Sequence, residues 1–359
     1  MKKFIKWIFD PRTISYINYA ALAIFGLCFI IVYFADAGTY RSMKTLIEDL
    51  FIYGILAVSL GMVVGFLGEL SLGHAGFMCI GAFVGGKIAL MLSSTAFGNS
   101  VWTLIIAIIA GGLIAAFCGF IVGLPALRLR GDYLAIVTLA FVQIVCTVVM
   151  QLPENWFGGP SGLSTKAVST KYLFIVAFVV LFICLAFTQN LVRSKHGRAI
   201  TAIRDNEIAA RSMGINITKY KLFVFIAAAF FAGVAGVLIA YQKNTITTLS
   251  FDYNKSIDIL IMVVLGGIGS IGGSMYAAFA ITFLTSKLQT SLPPDMAYLQ
   301  FVIYAVVLIL VVIYRNTPKL KHFRERVNLK TVVFKIFKIE DDLLPDSEKK
   351  SIERQKEDA

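Results

Sequence analysis

Charged side chains are scarce in this sequence. Asp, Glu, Lys and Arg make up 15% of the 359 residues, whereas a soluble globular chain carries about 25%. Hydrophobic residues make up 58%, and the mean hydropathy is +0.80, which excludes an ordinary soluble protein. Runs of roughly 20 apolar residues recur, and each is long enough to cross a bilayer. Such runs must be helical, because lipid offers no partners for backbone polar groups.

Cysteine and histidine are also sparse. The five cysteines lie within apolar runs and form no C-x-x-C pair, so the sequence indicates neither a zinc site nor a disulfide framework. The three histidines are far apart, and no H-E-x-x-H or G-x-S-x-G motif occurs. Residues 81–87 fit most of a phosphate-binding loop, but Ile88 stands where Ser or Thr would bind Mg²⁺. We therefore expect no enzyme active site, no metal site and no ATPase site in this chain.

Ten apolar runs predict helices, and the first is long enough to be a retained span rather than a signal peptide. The predicted helices are 14–35, 45–67, 70–92, 101–127, 131–151, 172–190, 221–242, 256–268, 272–290 and 297–314. The sequence thus predicts an all-α, polytopic transmembrane bundle over residues 1–314, followed by a charged cytoplasmic tail at 315–359.

Two glycine-rich breaks interrupt the pattern. The first break, residues 65–73, lies between the second and third predicted helices, and the second break, residues 266–273, follows a run too short to span alone. Breaks at corresponding places in two halves are typical of a solute path lined by unwound backbone. Small residues also suit a tight turn between closely packed helices, so both interpretations stay open.

Most Lys and Arg residues share one side of the membrane if the N-terminus is cytoplasmic. The positive-inside rule then predicts that both termini are cytoplasmic. The net charge of +12 is thereby explained by membrane lipid, with no nucleic acid as partner. Residues 191–220, the longest polar stretch between spans, also fall on this side. Apolar residues in two groups fall near helical spacing there: Ala199, Ala202 and Ile203, then Ile208, Ala209 and Met213. Gly214 ends the run, which predicts one or two short amphipathic helices.

Ionisable groups in or beside spans are candidate functional residues, because burying them in lipid is costly. Glu69 and His74 stand out, since they flank the polar part of the first break, with Ser71 between them. Gln143 is polar at mid-helix, where it can either bond across helices or contact solute. The other ionisable candidates are Lys87, which can instead reach the headgroups, Asp132, which can instead pair with Arg128 or Arg130, Asp252 and Asp258.

Five blocks of residues form a recognisable set. They are E-I-A-A-R-S-M-G at 207–214, L-S-L-G-H-A-G-F at 70–77, G-G-P-S-G-L at 158–163, and the stretches 127–139 and 262–270. Together they resemble the LivM-type permease subunits of branched-chain amino-acid ABC importers, over roughly residues 14–314. One departure is Gln143, because the family often has Glu at that position.

The resemblance implies that residues 191–220, named the coupling loop below, dock onto a separate ATPase subunit. The residues that carry this role are Arg198, Arg204, Glu207, Ala209, Ala210 and Gly214. The candidate solute path consists of Glu69, Ser71, His74, Gln143, Gly266, Gly267 and Gly269. The implied assembly has a second, LivH-like permease, two ATPase subunits that hold ATP and Mg²⁺, and an external solute-binding protein. It would sit in the bacterial cytoplasmic (inner) membrane and move leucine, isoleucine and valine by alternating access.

Other functions compete with this one. Importers of urea or short-chain amides use related permeases, and only the G-D-Y-L-A block at 131–135 weakly favours amino acids. An ion-coupled secondary transporter would place an essential carboxylate at mid-membrane and would not need the coupling loop. A membrane enzyme or scaffold would bind no ATPase partner.

Overall fold

The structure is a computed structural model that describes residues 41–93, 100–129, 131–168 and 172–291, together with helical positions at Val306 and Ile309. The predicted helix 14–35 and the tail 315–359 lie outside these residues, as does 297–314 apart from the two positions named. The chain divides into two units, of which one comprises residues 18–297. The following architecture is that of this unit.

Eleven α-helices lie in the described ranges. They are α1 (Arg41–Gly61), α2 (His74–Ser93), α3 (Val101–Ala126), α4 (Asp132–Gln151), α5 (Glu154–Phe157), α6 (Leu173–Arg193), α7 (Lys195–Asp205), α8 (Glu207–Ser212), α9 (Ile217–Gln242), α10 (Tyr253–Gly266) and α11 (Ile271–Ser291). A π-helical turn, Met62–Leu67, continues α1, and short 3₁₀ turns occur at Gly159–Ser161, Lys166–Val168 and Thr248–Phe251.

The predicted helices between residues 45 and 290 all have counterparts whose ends agree within about one turn. Six helices are long and apolar enough to cross a membrane: Met43–Leu67, α2, α3, α4, α6 and α9. As predicted, α10 is too short to do so, with 14 residues. The protein is therefore a multi-pass helical membrane protein.

Helix α9 lies at the centre of the packing, against α1, α2 and α3. It is apolar on all sides, as expected of a helix surrounded by others. Glycine allows the close approach, because a Cβ on Gly81 of α2 would overlap the backbone of Gly233 on α9. An aromatic group at Phe51 joins α1 to α6 and α11, with ring centroids 5.4 Å from Phe174 and 6.5 Å from Phe279.

Helices α3, α4 and α6 expose wide apolar faces. The large exposed side chains on α3 include Trp102, Ile109, Leu113, Phe117 and Ile121. An exposed apolar face of this extent suits lipid or another transmembrane subunit, as expected for spans at the edge of a bundle.

The connections after α4 and α9 contain strand structure that the all-α prediction did not include. Strand β1 (Leu163–Ser164) pairs antiparallel with β2 (Thr245–Ile246), and the Thr165 amide donates to Asn244 O at 2.9 Å. Two-residue strands are too short for an alternating pattern to reveal them. The pairing ties the α4–α6 connection to the end of α9.

Candidate functional site

The first break leaves helical geometry between two spans. The π-helical turn ends at Gly68, whose φ of +78° favours glycine, and residues 68–73 are non-helical until α2 begins. Backbone amides there need partners, because unpaired polar groups within a membrane protein are costly. Side-chain hydroxyls supply them, since Leu72 N–H donates to Thr138 Oγ1 at 2.9 Å and Ala75 N–H donates to Ser256 Oγ at 3.0 Å.

His74, the first residue of α2, is buried and faces α1. Its Nε2 lies 3.0 Å from Ser59 Oγ, and the Ser59 hydroxyl donates to Leu56 O at 2.9 Å. We assign the Ser59 hydrogen to Leu56 O, which makes Nε2–H the donor of the pair and leaves Nδ1 as an acceptor. Nδ1 is buried and has no hydrogen-bond partner among the described residues.

Five buried polar residues surround this point, and we name them the buried polar cluster: Ser59, Ser71, His74, Thr138 and Ser256, each at most 2% exposed. They come from α1, the first break, α2, α4 and α10. Ser59 lies eight residues, or about 12 Å along a helix, before the end of its span. The start of α2 therefore packs beside the middle part of the neighbouring spans and not at their ends.

The second break has a different form from the first. It is a tight turn, in which Ser270 N–H donates to Gly267 O at 2.9 Å, and positive φ angles of 105° and 87° occur at Gly267 and Gly269. The two breaks contact each other, because a Cβ on Gly65 would lie 2.7 Å from Gly269 N. Of the two interpretations of glycine breaks, the tight turn fits the second and the unwound segment fits the first.

The coupling loop folds as the sequence predicts, into the two short helices α7 and α8. Asn206 caps α8, because its Oδ1 accepts the amides of Ile208 at 3.1 Å and Ala209 at 3.0 Å. Ile203, Ala210 and Ile217 form a small core that joins α7, α8 and α9. The loop is therefore a packed unit.

The outer face of α8 carries apolar side chains with no cover from the described residues. Ile208 is 76% exposed, and Met213, directly after α8, is 82% exposed. Ala209 is also exposed, whereas Ala210 is buried in the small core. Arg198 is exposed on α7. The helix thus presents apolar groups on an otherwise polar segment.

The coupling loop contacts the first break directly through Arg204 and indirectly through Lys221, which follows the loop. Arg204 donates from Nη1 to Gly65 O at 3.0 Å, and it also pairs with the adjacent Asp205 at 3.1 Å. Lys221, on α9, forms an ion pair with Glu69 and lies 3.6 Å from a carboxylate oxygen of Glu207. Both breaks and the coupling loop therefore meet in one region.

The structure brings some predicted path residues together and separates others. Ser71 and His74 belong to the buried polar cluster, whereas Glu69 lies in the ion pair with Lys221. Gln143 is exposed on α4 and donates to Asp252 Oδ1 at 2.7 Å. These placements do not test a contact with solute, so the role of each residue stays a prediction.

Two of the remaining candidates, Asp252 and Lys87, have hydrogen-bond partners close by. Asp252 accepts the Tyr253 amide at 2.7 Å and so caps α10. Lys87 donates to Asn155 O at 2.7 Å, which holds its amine at α5, and its reach to the headgroups stays a prediction. Asp132 lies in the first turn of α4, where a negative charge suits the helix dipole.

Several polar residues of the site escaped sequence reasoning. Ser59, Thr138 and Ser256 stand in apolar runs, where hydroxyls usually bond within their own helix and give no distinctive signal. Lys221 looks like the edge of a basic loop, yet its side chain is only 5% exposed. Glu48 is buried in α1, 3.9 Å from Lys44 one turn away, and the i,i+4 spacing is its only sequence signal. Among the described residues, no group of three or more His, Cys, Asp or Glu could hold a metal ion.

Comparison with known proteins identifies the family. Residues 42–312 match the model of a family described as branched-chain amino acid transport system / permease component. The high-affinity branched-chain amino acid transport system permease proteins LivM of Salmonella typhimurium and Escherichia coli are each 33% identical, over 78% of this chain and 70% of the relative. The LivH permease protein of Salmonella typhimurium is 27% identical, over 62% of this chain and 77% of the relative.

No solved structure matches the chain. The sequence relationships are sufficient, because the family model covers most of the chain and the LivM relatives are matched over more than two thirds of their length. The chain belongs to the family of permease components of branched-chain amino acid transport systems.

Proposed function

We propose that this protein is the membrane-spanning permease subunit of an ABC importer for leucine, isoleucine and valine. Family membership is the observation that carries this proposal, since the relatives named LivM are matched over most of the chain. The chain would receive solute from an external binding protein and move it by alternating access. Its place would be the bacterial cytoplasmic (inner) membrane, with about ten helices and both termini in the cytoplasm.

ATP hydrolysis belongs in this proposal to two separate ATPase subunits, which would bind ATP and Mg²⁺. Residues 81–87 lie within α2, which supports their interpretation as part of an ordinary helix rather than a phosphate-binding loop. The exposed Ile208 and Met213 give α8 an apolar face suited to a groove on the ATPase. Glu207, Ala209, Ala210 and Gly214 form or end this helix, and Arg198 and Arg204 belong to the preceding α7.

The solute path is proposed to run along the buried polar cluster. The start of α2 carries the positive end of a helix dipole, which suits the carboxylate of an amino acid. The free acceptor Nδ1 of His74 suits its ammonium group. Gly266, Gly267 and Gly269 would allow the neighbouring break to rearrange, and Glu69 and Gln143 stay candidates outside the cluster.

A second, LivH-like permease would complete the membrane part of the importer. The similarity to a protein named LivH supports a pair of related permeases. The exposed apolar faces of α3, α4 and α6 would be shared between this partner and lipid.

The decisive experiment is uptake of labelled leucine in cells with and without this gene, in a strain without other leucine carriers. We expect loss of uptake on deletion, and competition by unlabelled isoleucine and valine but not by urea. Restoration by the wild-type gene excludes an indirect effect. Unchanged leucine uptake would overturn the proposed solute, and competition by urea would favour the amide importers.

The path is tested with His74→Gln, which removes the free Nδ1 acceptor and keeps an amide that can bond to Ser59. We expect lower uptake while the protein still inserts and copurifies with its ATPase. Normal uptake would remove His74 from the path.

A further inference from the structure

Lys221 occupies an unusual position between two parts of the chain that are far apart in sequence. Its amine pairs with Glu69 of the first break and lies 3.6 Å from Glu207, the first residue of α8. The side chains of Lys221 and Glu69 are 5% and 12% exposed. One buried cation thus lies between a carboxylate from each element.

Burial raises the energetic cost of disrupting this arrangement. Two carboxylates near each other in a water-poor site repel, and removing the cation between them leaves uncompensated buried charge. Glu207 also lies 3.5 Å from Arg211, but that pair is at the surface, where solvent screens it. Lys221 is therefore the buried link between the break and α8.

A second tie lies beside the first. Arg204 of α7 donates to Gly65 O at the end of the π-helical turn, where a cation also suits the helix dipole. The coupling loop consequently holds the first break directly at Gly65, and at Glu69 through Lys221. Beyond Glu69, only a short non-helical segment leads to His74 and the rigid helix α2.

We propose that Lys221 is a positioning residue that transmits movement of α8 to the first break, so that displacement of α8 by a partner ATPase shifts residues 68–73 and the start of α2. This inference deepens the proposed function and rests on it. The segment 68–73 is suited to such movement because it is non-helical and its Leu72 N–H is bonded to the Thr138 hydroxyl of another helix, a partner that it can exchange. A direct helical connection would not allow this.

The first test uses the complete importer reconstituted in liposomes, with uptake of leucine and hydrolysis of ATP measured together. Lys221→Met removes the charge and keeps the length of the side chain. We expect uptake per ATP hydrolysed to fall at least about fivefold, the lower end of coupling between sites, while the ATPase still copurifies. Lys221→Arg keeps the cation and should retain coupling, as should Lys166→Met, which removes an exposed charge outside the coupling loop.

The double variant Lys221→Met with Glu69→Gln separates positioning from stability. It removes the unpaired carboxylate, so thermal stability should recover, but the tie is still absent and uptake per ATP should stay low. Recovery of both quantities would overturn the proposal and leave a purely structural ion pair. Unchanged coupling in Lys221→Met would also overturn it.

A second readout needs no solute. Ser71→Cys is introduced into a chain whose native cysteines are replaced by alanine, and its modification by maleimide is followed with and without a non-hydrolysable ATP analogue. The analogue should change the modification rate with Lys221 present and leave it unchanged with Lys221→Met. An equal change in both would overturn the inference. Failure of the wild-type importer to take up any branched-chain amino acid would overturn the proposed function alone, because this readout does not depend on solute.

Discussion

Replacement of Gly214 gives a graded test of the coupling loop. The residue has a φ of +79° and follows α8, and its N–H donates to Arg211 O at 3.0 Å. The next amide, of Ile215, donates to Ala210 O at 3.1 Å, so the positive φ turns the chain back toward α9. An added Cβ would meet nothing within 4 Å, and the cost of Gly214→Ala is therefore conformational rather than steric.

The magnitude follows from that conformation. A left-handed backbone costs an alanine about 1–2 kcal/mol relative to glycine, whereas asparagine tolerates it better. The loop can relieve this strain by adopting a conformation that cannot dock. The apparent affinity for the ATPase then falls in proportion to the fraction of chains that keep the docking conformation. A strain energy of about 1–2 kcal/mol corresponds to a loss of affinity of about 5- to 30-fold. Gly214→Pro should weaken docking further, because proline fixes φ near −65° and has no N–H.

The assay is titration of the purified ATPase subunit against the permease in nanodiscs. We expect affinity to decrease in the order wild type, Gly214→Asn, Gly214→Ala, Gly214→Pro, with normal membrane insertion throughout. Glu207→Ala, which removes a charge from the same loop, should also weaken docking. The reasoning is refuted if Gly214→Pro binds as tightly as wild type, or if the asparagine variant is weaker than the alanine variant.

Three further variants test the fold around the site. Thr138→Val leaves the Leu72 amide unpaired and should lower stability by about 1–3 kcal/mol in thermal unfolding, with Thr138→Ser as the control. Asn206→Ala removes the cap of α8 and should cost about 1 kcal/mol. Faster hydrogen exchange of the two capped amides would reveal the loss of the cap. Asn206→Asp, the control, keeps a capping oxygen and should show the slow exchange of the wild type. Gly81→Ala forces α2 from α9 and should cost about 1–3 kcal/mol. In contrast, Gly61→Ala meets its nearest atom at 3.6 Å and should be tolerated, and equal stability of these two variants would contradict the packing described.

Helix positions were predictable because each span is specified locally. The length of an apolar run and the absence of backbone partners in lipid leave one possible structure. The boundaries of α3 and α4 followed from this alone, as did the break of α10 at its glycines. The ribbon of β1 and β2 was not predictable, since each strand depends on a partner more than 80 residues away.

The candidate site was predicted only in part. Ser71 and His74 were recognised from their place beside glycine, and the structure puts both in the buried polar cluster. Lys221 was not recognised, because a lysine at a loop edge has the same sequence signature whether its side chain is exposed or buried. Its role depends on Glu69, a partner 152 positions away.

The sequence by itself determined a polytopic helical membrane protein with two glycine breaks and an amphipathic loop, because hydropathy and glycine content act over a few turns of chain. Tertiary structure alone decided which groups satisfy the polar atoms that these breaks expose. Ala75 N–H is paired with Ser256, 181 positions away, and the break is joined to the coupling loop through Lys221 and Arg204. Such pairings depend on how the helices pack, since buried polar groups take whatever partners the neighbouring helices bring within reach.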